Sequence, residues 1–192
     1  MGQLYASRRS LAGIALSVAL GILGDEPIRS FMQSARVAPA DAPSTGRVAP
    51  VAENGPPLTV SGVVVDESGA PLRGVSLYIY QTDAEGYYGV KPVSDNANPR
   101  LKLFLRSDAK GGFSFTTIRP GSYPNARVPG HIHIEVSAQG FAAKIFEIVF
   151  EGDPFVTDAM RRNPVFSVRP IEPGGKVTER IVLMRRASRT SD

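Results

Sequence analysis

From residue 58 onward, apolar and polar positions alternate with a period of two. This is the mark of strands that bury one face against a core. Leu58 to Asp66, LTVSGVVVD, alternates and is rich in valine. Gly74 to Gln81 sets Val75, Leu77 and Ile79 on one face and Ser76, Tyr78 and Tyr80 on the other. The pattern predicts further strands over Leu101–Arg106, Phe113–Thr117, His131–Val136, Ala143–Phe150, Val165–Val168 and Lys176–Met184. Turn chemistry separates them, in Glu67-Ser68-Gly69-Ala70-Pro71, Asp83-Ala84-Glu85-Gly86, Asp108 to Gly112, and Gly140. Lys91 to Arg100 is polar and reads as a loop, and only Pro154 to Arg162 has room for a short helix. About eight short strands at this spacing predict an all-β fold, an antiparallel β-sandwich.

The N-terminal part has a different pattern. Arg8 and Arg9 precede Leu11 to Gly24, an apolar run without a charge. It is shorter than the roughly 20 residues a membrane-spanning helix needs. A basic start before such a run predicts an export signal of twin-arginine type over residues 1–42, and hence a periplasmic or extracellular protein. Two alternatives stand beside it, a buried N-terminal helix and an uncleaved anchor that tethers the chain to a membrane. Ala38-Pro39-Ala40 and Ala40-Asp41-Ala42 have small residues at cleavage spacing, with prolines beside or within them. Residues 43–56, rich in Pro and Ala and without apolar periodicity, read as a flexible linker. The folded domain is then 57–185, followed by a basic polar tail at 186–192.

Composition removes several chemistries. There is no cysteine in 192 residues, so disulfides, thiolate ligands and cysteine nucleophiles are excluded. The net charge is +4, and Arg8, Arg9, Arg185, Arg186 and Arg189 near the termini supply much of the excess. No basic stripe with interleaved aromatics is present, which argues against a nucleic-acid partner.

The chemistry concentrates in Gly121 to Val136, GSYPNARVPGHIHIEV. His131 and His133 are the only two histidines of the chain. Positions i and i+2 of a strand share a face, so both imidazoles project to one side, close enough to grip one metal ion. Tyr123, in the turn Pro120-Gly121-Ser122-Tyr123-Pro124, stands nearby as a candidate third donor. The plainer alternative is a strand that carries two histidines by chance.

Five ordered stretches together resemble the intradiol ring-cleaving catechol dioxygenases. They are Gly69 to Gly74; Tyr80 to Tyr88 with its Gly-x-Tyr end; Phe113 to Pro124; His131-Ile132-His133; and Phe150-Glu151-Gly152-Asp153-Pro154. The resemblance runs from about Val60 to Pro154. It implies a mononuclear, non-haem Fe(III) held by Tyr88, Tyr123, His131 and His133. Tyr88 and His131 would be equatorial and Tyr123 and His133 axial, with Tyr123 the tyrosine that leaves when substrate binds. Phenolates are hard anionic donors suited to a trivalent cation, unlike the two-histidine, one-carboxylate sites of Fe(II) oxygenases. The implied substrates are a catechol-type ring and O2, and the product is a cis,cis-muconate-type diacid.

Two positions depart from the family pattern. The arginine expected three residues before the first histidine is replaced by Val128, and Arg127 sits one residue earlier. Arg127 either reaches the site through a shifted turn or is a solvent charge. A glutamine on the following strand corresponds to Glu147, where a carboxylate would repel a catecholate unless protonated. Two other functions are therefore carried alongside the dioxygenase. One is a non-catalytic, transthyretin-like or peptidase-associated β-sandwich, suggested by the Gly62 to Gly74 pattern. The other is an iron-binding relative without oxygenase activity. A homo-oligomer is compatible with any of the three.

Overall fold

The computed structural model describes residues 36–93 and 95–186. The expected export signal falls outside these residues except for its last part, as does the tail beyond Arg186. Among the described residues no helix is long and apolar enough to cross a membrane.

Nine strands and one short helix form, in the order β1 (Thr45–Arg47), β2 (Pro57–Asp66), β3 (Ser76–Gln81), β4 (Leu101–Arg106), β5 (Gly112–Ile118), β6 (His131–Ser137), β7 (Lys144–Phe150), α1 (Asp158–Arg162), β8 (Phe166–Arg169) and β9 (Lys176–Leu183). One sheet has the order β1-β5-β2-β9 and the other β4-β3-β6-β7-β8. A single apolar core draws on both, with Val60 and Phe115 from the first and Leu77, Ile79, Ile132 and Ile134 from the second, each at most 1% exposed. Fully burying each such side chain contributes about 1.5–3 kcal/mol.

The expected all-antiparallel pairing is corrected in three places. The pairs β2–β5, β3–β4, β3–β6 and β6–β7 are antiparallel. The pairs β1–β5, β2–β9 and β7–β8 are parallel. Parallel neighbours need a crossover rather than a hairpin. The segment that holds α1 provides one between β7 and β8, and β9 returns to β2 from much later in the chain.

Residues 43–56 are not arranged as a free linker. Thr45–Arg47 forms β1 alongside β5, and Ala38, Val48 and Ala49 are buried. The Pro43 and Ser44 carbonyls accept from the Arg106 and Ser114 amides at 2.9 and 3.0 Å. A three-residue strand is too short to leave a period in the sequence, and small apolar residues suit the narrow space it fills.

Candidate metal centre

Strand β6 has two faces with different tasks. Ile132, Ile134 and Val136 point into the core and are fully buried. His131, His133 and Glu135 take the opposite face, as period two requires. Across that face Tyr80 on β3 and Glu147 on β7 lie directly opposite His133. The Tyr80 ring stacks on the His133 imidazole at 4.4 Å and 12°, which holds the imidazole plane.

Two loops bring the tyrosines to the histidines. In the first, the Asp83 carboxylate accepts from the Glu85 and Tyr87 amides at 2.9 and 3.0 Å. It closes the turn that ends at Tyr88. In the second, Gly121 approaches the first loop so closely that its amide donates to the Asp83 carbonyl at 2.8 Å. A Cβ on Gly121 would collide with the Ala84 carbonyl, and one on Gly86, at φ +90°, with the Ser122 carbonyl. Only glycine permits this contact. Beneath the loops, fully buried Gln81 donates to the Thr82 and Ile118 carbonyls at 3.1 and 3.0 Å and accepts from Thr117 Oγ1 at 2.7 Å.

The four side chains converge. Tyr88 Oη lies 2.6 Å from both Tyr123 Oη and His133 Nε2. Tyr123 Oη lies 3.0 Å from His131 Nε2, and the two Nε2 atoms are 3.0 Å apart. His131 Nδ1 lies 2.8 Å from the Pro129 carbonyl. A carbonyl only accepts, so Nδ1 carries a proton, and in the neutral tautomer that this selects, Nε2 is a bare lone pair. Burial, and then the neighbouring His131, pulls the pKa of His133 down to about 3, so the His133 ring is neutral. Two imidazole nitrogens and two phenol oxygens thus crowd one point with only the phenol protons to share. Burial raises the Tyr88 and Tyr123 phenols above their usual range. A cation at that point would reverse this, giving each lone pair a partner and favouring both phenolates. The donor set fits a hard, highly charged metal ion.

His131, His133 and Glu147 also bring ligand-type atoms within 4.8 Å of one another. Glu147 nevertheless sits behind the site. Its Oε1 is 3.5 Å from His133 Nδ1, the nitrogen on the far side of the ring from Nε2. That is the place of a group that orients a ligand, and burial raises its carboxyl pKa. Tyr123 is the most accessible of the four donors, half-buried where Tyr88 is 3% exposed. A pocket of about 510 Å³ opens beside it, lined by Tyr87, Tyr88, Pro92, Asn96, Tyr123, Pro124 and Asn125. Arg127 is exposed and does not line this pocket, so the expected reach into the site by a shifted turn is not what is found.

Residues 30–183 match a family model described as dioxygenase. The chain belongs to the intradiol ring-cleavage dioxygenase family. Iron dependence is a property of that family. The chain is 34% identical over 133 residues to the protocatechuate 3,4-dioxygenase beta chain of Burkholderia cepacia, covering 62% of this chain and 54% of that one. It is 29% identical over 131 residues to a hydroxyquinol 1,2-dioxygenase of Nocardioides simplex, covering 60% and 43%. The chain thus spans about half the length of these curated relatives. Among solved structures, the dioxygenase domain of a dioxygenase–carbohydrate-binding fusion from Streptomyces sp. SirexAA-E matches at 26% identity. Its TM-score is 0.58, with 80% of this chain and 96% of that one covered.

Three residues brace this family site, of which only Asp153 falls in a stretch that stands out in the sequence. Asp153 Oδ2 accepts from the Gly130 amide at 3.3 Å, just ahead of His131. Arg100 donates its backbone N–H to the Tyr88 carbonyl at 2.7 Å. Glu53, in the stretch expected to be a linker, holds the Arg100 guanidinium through two hydrogen bonds of 2.6 and 2.8 Å. A lone acid in a Pro- and Ala-rich stretch is the only trace of that brace.

Proposed function

We propose that the chain is a ferric intradiol dioxygenase. It inserts both atoms of O2 into a catechol-type ring and yields a cis,cis-muconate-type diacid. The observation that carries this is the convergence of two tyrosine oxygens and two imidazole lone pairs at 2.6–3.0 Å.

Tyr88, Tyr123, His131 and His133 would hold the iron. Bound there, Fe(III) supplies a Lewis acid that draws electron density from a chelated catecholate and opens a ring carbon to O2. The remaining work belongs to the chain. Tyr88, braced from behind by Arg100 and Glu53, stays in place. Tyr123, half-buried at the pocket, would be the group that swings away, its Oη taking one proton from a catechol hydroxyl as the phenol re-forms, while the second catechol proton is released to solvent at the pocket mouth. Pro129 fixes the tautomer of His131, while Tyr80 and Glu147 fix the ring of His133. Tyr87, Pro92 and Pro124 line the side where the ring would lie and keep water from it. Ring and O2 combine without loss of atoms, so no external reductant is required.

The test is the visible spectrum of iron-supplemented protein, joined to O2 uptake. A tyrosinate-to-iron band that moves when catechol is added, with one O2 consumed per ring, is expected. Protein that binds no iron and stays colourless would remove the four-donor assignment. A coloured protein that consumes no O2 would instead be the iron-binding relative without oxygenase activity. Export also remains our proposal, supported by Arg8, Arg9 and the apolar run from Leu11 to Gly24. Cell fractionation that finds the protein only in the cytoplasm would sink it.

A further inference from the structure

The relatives that this chain matches are named for rings of different charge. Protocatechuate carries a ring carboxylate, whereas hydroxyquinol and catechol do not. The pocket beside Tyr123 discriminates between these classes. We infer that this site takes a dihydroxylated ring whose other substituents are uncharged and hydrogen-bonding, such as a further hydroxyl, and discriminates against a ring carboxylate. This rests on the catechol-chelating function proposed above.

The first ground is charge. Among the described residues no Lys, Arg or His side chain lines the pocket. The nearby cations are already committed. Lys91 Nζ, above the Tyr87 ring at 5.7 Å, is held by Glu85 at 2.8 Å. Arg100 is held by Glu53, with Asp83 3.7 Å away. Arg36 pairs with Glu135 at 3.7 Å, and Arg127 is exposed outside the lining. The charge of a bound Fe(III) would already be balanced by one phenolate and a catecholate dianion, Tyr123 having left as a phenol. An additional carboxylate would therefore enter a pocket with no counter-ion left for it, which is unfavourable for a desolvated charge.

The second ground is what the pocket does offer. Asn96 and Asn125 present exposed carboxamides at its rim. A carboxamide both donates and accepts, so a hydroxyl on the ring can be paired with it whichever way the hydroxyl proton turns. The Asn96 side is held in place by Arg36, whose guanidinium donates to the Ala97 carbonyl at 2.8 Å. The same guanidinium lies over the Tyr78 ring at 4.8 Å. One rim amide therefore stands next to a braced backbone.

The test is a ligand series on the iron-loaded full chain, read anaerobically from the shift of the tyrosinate band so that turnover plays no part. The ligands are catechol, 1,2,4-trihydroxybenzene and 3,4-dihydroxybenzoate. The trihydroxy ring is expected to bind at least as tightly as catechol, and the carboxylated ring at least about tenfold more weakly than either. Asn96→Ala combined with Asn125→Gly should bring the affinity ratio of the trihydroxy ring to catechol down to about one, and a ratio unchanged from wild type overturns the role of the two carboxamides. Equal or tighter binding of the carboxylated ring overturns this inference while the chelating function stands. Failure of all three rings to move the band overturns the chelating function itself.

Discussion

Gly121 is where loop packing and site geometry are most directly coupled, so Gly121→Ala is the sharpest perturbation. The new methyl would meet the Ala84 carbonyl, with Gly86 N at 2.9 Å behind it. Both neighbours are backbone, so the two loops must separate. Separation breaks the hydrogen bonds from the Gly121 amide to the Asp83 carbonyl (2.8 Å) and from Thr82 Oγ1 to the Gly121 carbonyl (3.0 Å). Two such bonds contribute about 0.5–1.5 kcal/mol each, and overpacking costs about 1–3 kcal/mol, so the sum is about 2–6 kcal/mol. In a domain of this size that lowers Tm by roughly 4–24 °C. The loops carry Tyr88 and Tyr123, so iron affinity should fall at least about tenfold as their oxygens part. Gly140→Ala is the control. At φ +81° and with nothing within 4 Å of its Cβ, it should cost only the left-handed backbone strain of about 1–2 kcal/mol and leave iron binding alone. Thermal unfolding of metal-free protein and an iron titration followed by the visible band measure both effects. Wild-type stability and iron affinity in Gly121→Ala would refute the coupling.

Tyr88→Phe should cost metal-free stability only about 1–3 kcal/mol, the worth of its hydrogen bonds to Tyr123 and His133, yet lower iron affinity more than about 100-fold; equilibrium dialysis checks it, and iron affinity close to wild type would contradict the assignment. Removing residues 1–42 deletes the Ala38 amide bond to Ser76 Oγ and the Arg106 guanidinium bonds to the Ala38 and Pro39 carbonyls, each 2.7 Å. It should destabilise by about 2–4 kcal/mol relative to removal of residues 1–34, as read by urea unfolding. Processing that keeps these three bonds would cut before Ala38, upstream of both small-residue sites. The hydrogen bond from Arg100 lowers the Glu53 carboxyl pKa below 4.5. A depressed folded pKa means stability that is present above 4.5 and is lost as pH falls through the folded value. The stability lost between pH 6 and 3 should therefore shrink in Glu53→Gln, and an unchanged acid slope would count against the brace.

The folded domain was legible wherever residue type and period agreed. Strand β6 shows why, since Ile132 and Ile134 must face the core and so His131 and His133 must share the opposite face. Leu101–Arg106 needed no correction. The four donors were legible through resemblance, and the structure brings all four together. What was hidden depends on contacts that leave no local period. The parallel placement of β1, β8 and β9 is one example. The packed stretch at 43–56 is another, because three residues of strand cannot show alternation. Glu147 was legible as a departure, but its position behind His133 follows only from the β6–β7 register. Arg127 illustrates the limit of a loop, where one residue of offset decides between pocket and solvent.

The same register connects stability to chemistry. His131 and His133 alternate with side chains that are 0% exposed in the core, Ile132 and Ile134. Neither imidazole can slide along the sheet without pulling an isoleucine from its packing, at a cost of about 1.5–3 kcal/mol each. Sliding by one residue would exchange the two faces altogether. The histidines are thus held by the core, whereas the tyrosines arrive on turns, Tyr88 braced by Arg100 and Glu53 and packed against Tyr80, and Tyr123 half-buried at the pocket. This asymmetry suits a centre in which two nitrogen donors and Tyr88 must stay while Tyr123 moves. On the proposed function, the freedom to exchange a donor for substrate would lie at Tyr123, the one donor that is neither fixed by the core register nor braced from behind.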